Sequence, residues 1–403
     1  MKEVVIASAC RTAIGAFGGS LKSMHGATVG SLVMKEAINR AGIASEMIDD
    51  IRFGCCFEPF DALNVTRISA LMAGIPETVP AVTINRVCIS SMEAVISGMA
   101  MIQTGMADII LAGGVEHMSS VPYVVPGARW GCRLQDNEFV DALIRGLYCG
   151  SHLLPHPEEG PVKEGPPMDF FKGKPYIMGH TAEFVAQLHD LTREEMDEVA
   201  LRSHNNAERA TKEGDFKEEI VPVEVPQKKK KPPIVFDKDE HFRPGLTMEQ
   251  LTKLQPAFVP KIGKVTAGNS SGINDGASAM VIMSAEKAKE LGIQPLARIC
   301  AVGRGACHPS VMGLSPVPAV NNLLDKNPEF KLKDFELIEL NEAFASQYLG
   351  VEKELGLNRE ITNINGSGIG LGHPVGATGC RIMTTLILCG GGGVSMACVL
   401  EMI

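Results

Sequence analysis

The chain has 403 residues, of which 45% are hydrophobic and 21% charged, as in an ordinary globular protein. This composition excludes a disordered chain, a collagen-like repeat and a small disulfide-based fold. The net charge of −9 disfavours a protein that binds nucleic acid by neutralising phosphates. At about 100–200 residues per domain, the length predicts two or three domains or one large paired α/β unit.

The eleven cysteines include no CxxC pair, which disfavours a zinc site and a disulfide framework. We therefore expect reduced thiols and no bound metal. No apolar stretch reaches the eighteen or so residues that a membrane helix needs. The N-terminal segment MKEVVIASACRTAIG lacks the long apolar region of a signal peptide. These features predict a cytoplasmic protein without a membrane span.

The N-terminal part of the chain alternates strand and helix patterns. Residues 4–9 form an apolar strand pattern, and residues 29–41 have helical spacing that stops at Gly42. A β-rich run at 83–86, a helical pattern at 90–104 and an apolar run at 108–115 follow. Strand, helix and strand in this order predict the crossover unit of a parallel sheet.

The residue composition changes between residues 118 and 260, and alternating strand and helix patterns return after this segment. Pro, Gly, Lys and Glu are frequent in this middle segment, which predicts a loop domain with one surface helix at 193–210. The later part has predicted strands at 279–284, 335–340 and 361–365 and predicted helices at 285–291, 342–355 and 377–388. Two structurally repeated halves are therefore expected.

Cys88 and His373 occupy equivalent places in these two halves. Each follows a predicted strand and precedes a predicted helix. At a helix N-terminus the unpaired N–H groups and the helix dipole favour a thiolate, and a histidine in a glycine-rich turn can accept a proton near neutral pH. Taken alone, an isolated cysteine is more often a small buried apolar residue, and a lone histidine is more often structural.

Two further positions could contribute to a site. Asn341 follows the strand-like run ELIEL, at the sheet edge where α/β proteins bind ligands, although an asparagine there also suits a helix cap. Cys389 precedes the four glycines 390–393, whose backbone donors could hold an oxyanion. A plain helix stop is the alternative.

Six blocks together resemble the thiolase family. They are NRVCISSMEA at 85–94, GGVEHMS at 113–119, AGNSSGINDGA at 267–277, ELNEAFA at 339–345, GHPVGATG at 372–379 and CGGGG at 389–393. The blocks stand in the family's order and span nearly the whole chain. The resemblance implies a five-layered α-β-α-β-α sandwich of two similar halves with a loop domain over the active site.

The resemblance also implies domain boundaries. The N-terminal α/β half is expected at 1–117 and 261–284, the loop domain at 118–260 and the C-terminal α/β half at 285–403. The implied activity is thiolytic cleavage of a 3-oxoacyl-CoA, or the reverse Claisen condensation, through an acyl-cysteine. A non-catalytic acyl-CoA-binding subunit of a larger acyltransferase assembly is the alternative, because the C-terminal half is short.

The resemblance to the thiolase family implies a catalytic role for each of these site residues. Cys88 carries the acyl group and His373 takes its proton. Asn341 holds a water that stabilises the enolate with His373, and Cys389 moves the α-proton. The backbone N–H groups of Cys88 and Gly391 form the second oxyanion hole.

The substrate contacts follow from the same resemblance. Ser271 is expected to contact the pantetheine arm, and Met178 and Met312 are expected to line the acyl pocket. Coenzyme A is a substrate, and no metal or redox cofactor is expected. The family also implies a homodimer or homotetramer.

The sequence departs from the family in three places. Ile89 is bulkier than the glycine of many members, which leans towards degradation. Residues 152–174 resemble an insertion that either reshapes the acyl pocket or decorates the surface. Between His373 and Gly391 the chain is roughly 14 residues shorter than the family pattern, through a natural deletion or a stretch missing from the sequence. If residues 379–388 are helical, Cys389 lies at a helix end far from Cys88; if they are extended, the helix after His373 is lost.

Overall fold

The computed structural model describes residues 2–153, 160–227, 231–389 and 396–403, with only the main chain of residues 387–389. The strands in these ranges are β1 (Val4–Thr12), β2 (Gly15–Ala16), β3 (Asp50–Gly54), β4 (Ala81–Ile84), β5 (Ile109–His117), β6 (Tyr123–Val124), β7 (Val140–Asp141), β8 (Ile220–Val221), β9 (Val223–Val225), β10 (Ile234–Phe236), β11 (Asn274–Ser284), β12 (Ala297–Arg304) and β13 (Met396–Met402).

The α-helices in the same ranges are α1 (Gly26–Ala41), α2 (Val65–Met72), α3 (Ser90–Gln103), α4 (Ala142–Leu147), α5 (Pro166–Phe171), α6 (Met178–Leu188), α7 (Arg193–Glu213), α8 (Met248–Thr252), α9 (Ala285–Leu291), α10 (Pro316–Lys326), α11 (Ala345–Leu355), α12 (Gly368–Leu371) and α13 (Val375–Cys389). Among the described residues, no helix combines the length and apolarity that a membrane crossing needs.

One mixed sheet organises the molecule. Its strand order is β13-β12-β1-β11-β5-β3-β4, with β2 beside β11 and β8 beside β1. Strands β5, β3 and β4 are parallel to one another, whereas β11 runs antiparallel to both β1 and β5. Because β1, β5 and β11 are buried along their whole length, they form the central layer of the core.

Helices cover both faces of this layer. On β11, Met280 and Ile282 join the apolar cluster that contains residues of α3 and α13. The alternate residues Val281 and Met283 join the cluster that contains residues of α1. Successive side chains of a strand point to opposite faces, so this one strand supplies apolar side chains to two helical layers.

Most of the elements predicted from the sequence are confirmed. Observed strands overlap the strands predicted at 4–9, 83–86, 108–115 and 279–284. Observed helices overlap the helices predicted at 29–41, 90–104, 193–210 and 285–291. The helix predicted at 342–355 begins three residues later, at Ala345. Residues 377–388 are helical within α13, which extends to Cys389.

The strands predicted at 335–340 and 361–365 are wrong. These segments share a single parallel bridge between Ile338 and Thr362 and form no ladder. A strand needs neighbours to satisfy its backbone groups, but a cavity of about 640 Å³ separates Leu337 and Ile338 from Val399 on β13. Within the described residues, the C-terminal half therefore adds two strands, β12 and β13, to the sheet of the N-terminal half.

The middle segment predicted as a loop domain contains mostly short elements. Its strands have two or three residues, and α7 is its longest helix at 21 residues. The α7 N-terminus is capped by Thr192, whose side chain accepts from the N–H of Glu195, and the helix ends at Gly214 in the left-handed conformation. The three predicted boundaries, which divide the chain into four segments, stay predictions.

Glycine lets two helix starts approach the sheet closely. A Cβ atom on Gly114 of β5 would lie 2.3 Å from the carbonyl oxygen of Gly376 and 2.7 Å from the Cβ of Ser91. A Cβ on Gly54 of β3 would lie 2.3 Å from the backbone nitrogen of Ser91. Since Ser91 lies in α3 and Gly376 in α13, the first turns of both helices rest on bare backbone.

We expect Gly114→Ala to lower the free energy of unfolding by about 3 kcal/mol, because overpacking here must displace backbone rather than a flexible side chain. Gly276→Ala on β11 is the matched control, since its Cβ would meet Pro374 and Thr12 at ordinary distances of 3.4 and 3.5 Å. Urea denaturation of both variants gives the comparison. Equal unfolding free energies would contradict the close packing.

Candidate active site

The first turns of α3 and α13 lie side by side. The backbone N–H of Cys380 in α13 donates to Ser91 Oγ in α3 at 2.9 Å. Cys88 precedes α3 by two residues and belongs to the same apolar cluster as Val375, the first residue of α13. His373 precedes that residue by two positions. The two predicted reactive residues are thus brought to neighbouring helix starts.

Cys88 borders an apolar cavity and is held by a strained turn. Val87 has a φ of +50°, an unfavourable value for a β-branched residue. Burial first, then the neighbouring Cys149 and Glu116, raise the pKa of the Cys88 thiol to about 12. The sequence predicted a readily ionised thiol, whereas burial in the free protein favours the neutral thiol.

The hydrogen bonds of His373 fix its tautomer. Nδ1 lies 2.7 Å from Thr378 Oγ1, and the single hydroxyl proton of Thr378 is donated to the carbonyl oxygen of Pro374 at 3.0 Å. Nδ1–H must therefore donate to Thr378, which leaves Nε2 as the unprotonated, accepting nitrogen. Asn341 Nδ2 lies 3.3 Å from Nε2 and donates to it. His373 thus presents a proton-accepting nitrogen beside Asn341.

Burial and a neighbouring cation keep this imidazole neutral. Burial, and then the charge of Arg381, lower the pKa of His373 to about 3. The Arg381 guanidinium is itself buried, with Nη1 at 3.9 Å from Glu339 Oε2. Burial raises the pKa of Glu339 to about 8 in spite of this pairing. The resting site therefore holds a neutral imidazole and a neutral thiol.

Asn341 is held in place by its neighbours in the chain. The N–H of Leu340 donates to Asn363 Oδ1 at 2.8 Å, and Asn363 Nδ2 donates to Glu342 Oε1 at 2.8 Å. Asn341 Oδ1 is buried and accepts no hydrogen bond from the described residues. This oxygen can therefore accept a hydrogen bond from a water or a ligand at the site.

The two predicted methionines join Cys88 around one cavity of about 300 Å³. Its largely apolar lining includes Val87, Cys88, Ile89, Leu147, Cys149, Tyr176, Ile177, Met178 and Met312. Ser271 does not line this cavity. Its N–H donates to the carbonyl oxygen of Ala343 at 3.0 Å, which places it beside the segment that carries Asn341.

The predicted insertion at 152–174 packs against the wall of this cavity. Its helix α5 buries Met168 and Phe171 in a cluster with Phe184 of α6, and Ser151 Oγ donates to the carbonyl oxygen of Tyr176 at 2.7 Å. Helix α6 begins at Met178, which lines the cavity. The described part of the insertion therefore supports the cavity instead of lying free on the surface.

For two predicted site residues, the structure does not describe the groups that would act at the cavity beside Cys88. Gly391 and the side chain of Cys389 lie outside the described residues. The main chain of Cys389 ends α13, and fifteen helical residues advance about 21 Å along the axis from Val375. Of the two alternatives for residues 379–388, the structure shows the helical one.

Three residues of the site were missed by the sequence analysis. Thr378 and Arg381 follow His373 by five and eight positions, and their role depends on how α13 folds back over the turn. Glu116 stands in the block GGVEHMS, and its contacts cross the sheet. The only sequence signal for these three residues was that they lie in or near the six blocks that resemble the thiolase family. Among the described residues, no group of three or more His, Cys, Asp or Glu side chains is arranged to hold a metal ion.

We expect the alkylation rate of Cys88 by iodoacetamide to rise about tenfold per pH unit between pH 7 and 9, because only the thiolate reacts and its fraction grows at that rate well below the pKa. Peptide mass spectrometry separates Cys88 from the other cysteines, and the exposed Cys132 serves as an internal reference. A rate that is already maximal at pH 7 would indicate a resting thiolate and contradict the neutral pair.

Comparison with known proteins supports the relationship that the six blocks indicate. A family model described as the thiolase N-terminal domain matches residues 4–154 and 166–286, and one described as the thiolase C-terminal domain matches residues 293–399. The interruption of the first match falls within the predicted insertion. An acetyl-CoA acetyltransferase of Syntrophomonas wolfei is 44% identical over 418 positions, covering 99% of each chain.

A second curated relative shows a difference in length. The acetyl-CoA acetyltransferase of Cupriavidus necator is 43% identical over 416 aligned positions. The alignment covers 100% of that protein and 100% of this chain. The alignment is 13 positions longer than the 403 residues of this chain, so the relative has residues that this chain lacks.

Solved structures show the same fold. The crystal structure of the Bacillus anthracis acetyl-CoA acetyltransferase has a TM-score of 0.90 at 42% identity, covering 100% of this chain and 99% of that one. Human mitochondrial 3-ketoacyl-CoA thiolase has a TM-score of 0.89 at 36% identity, covering 100% and 99%. The α/β fold expected from the sequence is confirmed. The chain belongs to the thiolase family.

Proposed function

We propose that this chain cleaves 3-oxoacyl-CoA thioesters with coenzyme A, or catalyses the reverse Claisen condensation, through an acyl group carried on Cys88. The chain is an acyltransferase of the thiolase type. The observation that carries the proposal is the neutral Cys88 thiol at an apolar cavity, beside a helix start where His373 offers an unprotonated Nε2. Relatives that match the full chain are named acetyl-CoA acetyltransferase and beta-ketothiolase.

In the first step, Cys88 Sγ bonds to the 3-oxo carbon of the substrate and its proton moves to His373 Nε2. The bond between C2 and C3 then breaks, so that the acyl group remains on sulfur and acetyl-CoA leaves as its enolate until C2 is protonated. Because both partners rest neutral in a buried site, separated charges form only while the new bond forms. Coenzyme A then attacks the acyl-cysteine and restores the thiol.

The enolate oxygen needs hydrogen-bond donors while it carries charge. We assign this task to protonated His373 and to a water held by Asn341. The buried Oδ1 of Asn341 supports the assignment, because it has no partner among the described residues and a buried amide oxygen of this kind is commonly satisfied by water. The Nδ2 group of Asn341, 3.3 Å from His373 Nε2, would keep such a water close to the imidazole.

The acyl chain fits the cavity lined by Met178 and Met312. A volume of about 300 Å³ lies at the lower end of ligand pockets, and thioethers adapt to varied apolar shapes. We therefore propose a short apolar acyl group and assign the pantetheine contact to Ser271. Coenzyme A is a substrate, and no other cofactor enters the proposal.

The binding-subunit alternative has no support. The full-length relatives carry the names of enzymes, and the proposed nucleophile and base lie at adjacent helix starts.

We further propose a homodimer or homotetramer in the cytoplasm. The outer edge of β4 has no partner strand within the described residues, and an exposed strand edge invites pairing with a second chain. Exposed apolar side chains on the β6–β7 segment include Tyr123, Trp130, Leu134 and Phe139. Such a patch is typical of an interface.

We expect Cys88→Ser to abolish the acetyl adduct that acetyl-CoA leaves on the protein and to remove thiolysis of acetoacetyl-CoA. Serine lacks the soft sulfur that both attacks and leaves well. Cys132→Ser, at an exposed cysteine that does not line this cavity, is the matched control and keeps both signals. Intact-mass and peptide mass spectrometry locate the adduct. An adduct that persists in Cys88→Ser would contradict the assignment of the nucleophile.

The proposed roles of Cys389 in α-proton transfer and of Gly391 in the second oxyanion hole rest on the family resemblance alone. We expect Cys389→Ala to retain acetylation of Cys88 within about threefold, since the helix carries position 389 about 21 Å along its axis from Val375. Acetoacetyl-CoA synthesis in the same variant tests the α-proton role. Its loss with intact acetylation would support that role, and unchanged synthesis would remove Cys389 from the mechanism.

A further inference from the structure

The carboxylate of Glu116 lies buried between the two helix starts, and the proposed mechanism does not use it. Glu116 belongs to β5 and is fully buried. Its Oε2 accepts the backbone N–H of Gly376 at 2.8 Å and of Cys56 at 2.9 Å, and its Oε1 accepts the N–H of Phe57 at 3.0 Å. One side chain therefore connects the sheet, the loop after β3 and α13.

The first connection fixes the position of His373. Gly376 lies in the first turn of α13, three residues after His373. A Cβ atom at Gly376 would lie 2.7 Å from Glu116 Oε2 and 2.8 Å from the Cα of Cys55. Glycine at this position lets the backbone contact the carboxylate directly, and this contact anchors the turn that carries the imidazole.

The second connection reaches Cys88 through Cys56. The Cys56 N–H donates to Glu116, and its Sγ donates to the carbonyl oxygen of Val87 at 2.9 Å. The Asn85 side chain closes the same turn, because Nδ2 donates to the carbonyl oxygen of Cys56 and Oδ1 accepts the N–H of Val87. These contacts hold the strained Val87 that directly precedes Cys88.

We propose that Glu116 is a positioning residue that fixes the separation of Cys88 and His373. It does not line the cavity beside Cys88, so it acts through Cys56 and Gly376 and not on the substrate. The proposal rests on the proposed function, because that separation matters only if the thiol gives its proton to the imidazole.

A carboxylate suits this position better than its neutral amide. Three backbone N–H groups converge on two oxygens that offer only acceptor sites. In Glu116→Gln one oxygen becomes an NH₂ group, which would point a donor at donors. At least one of the connections to Cys56, Phe57 or Gly376 must then open.

The test compares Glu116→Gln with Glu183→Gln. Glu183 is a buried carboxylate that accepts the backbone N–H groups of Lys264 and Val265 at 2.9–3.0 Å, away from both helix starts. We expect Glu116→Gln to lower kcat for acetoacetyl-CoA thiolysis about 100-fold, with KM within about threefold, since small displacements of reacting groups have effects of this size. Glu183→Gln should keep kcat within about threefold at a comparable loss of melting temperature.

A second pair of variants tests the connection to Cys88 without removing the buried charge. Cys56→Ala removes the donor to Val87, whereas Cys56→Ser supplies a hydroxyl in its place. We expect Cys56→Ala to slow acetylation of Cys88 about tenfold and Cys56→Ser to restore most of the rate. This pair decides the question if Glu116→Gln does not fold, and equal rates in the two variants would overturn the connection.

The outcomes separate the two proposals. If the wild-type protein forms no acetyl adduct at Cys88, the proposed function fails. If the wild type is acetylated and folded Glu116→Gln keeps the wild-type kcat, the proposed function stands and the positioning role of Glu116 is overturned.

Discussion

The close approach of two helix starts to one sheet determines the rest of this structure. Gly114 leaves room for the carbonyl oxygen of Gly376, and Gly54 leaves room for the backbone of Ser91. Any side chain at either glycine would push α3 or α13 away from the sheet. Because Cys88 and His373 directly precede these helices, backbone packing in the core sets the distance between the groups proposed to react.

The same burial sets the electrostatic state of the site. Removing the Cys88 thiol and the His373 imidazole from water favours the neutral form of each, with pKa values of about 12 and about 3. Cys88 and His373 therefore form no thiolate–imidazolium pair at rest, and the substrate must supply the carbonyl at which sulfur attack and proton transfer occur together. The Thr378 hydroxyl contributes by fixing the tautomer that accepts the proton.

The sequence predicted the features of the fold and the site that depend on local residue patterns or on the six family blocks. The fold class, most strands and helices, and the convergence of Cys88 with Met178 and Met312 follow from periodicity or from resemblance. The strand predicted at 335–340 failed because a strand depends on a distant partner that local sequence does not reveal. The high pKa of Cys88 and the contacts of Glu116 were missed for a related reason, since tertiary burial determines both.

In the proposed mechanism, the Cys88 thiol gives its proton to the imidazole of His373 as its sulfur attacks the substrate. A crystal structure of the protein acetylated on Cys88 with coenzyme A bound tests this most directly. We expect His373 Nε2 within about 4 Å of the sulfur atoms that exchange the acyl group, in reach of a hydrogen bond or one water. An imidazole that faces away from both sulfur atoms, with another side chain in its place, would contradict it.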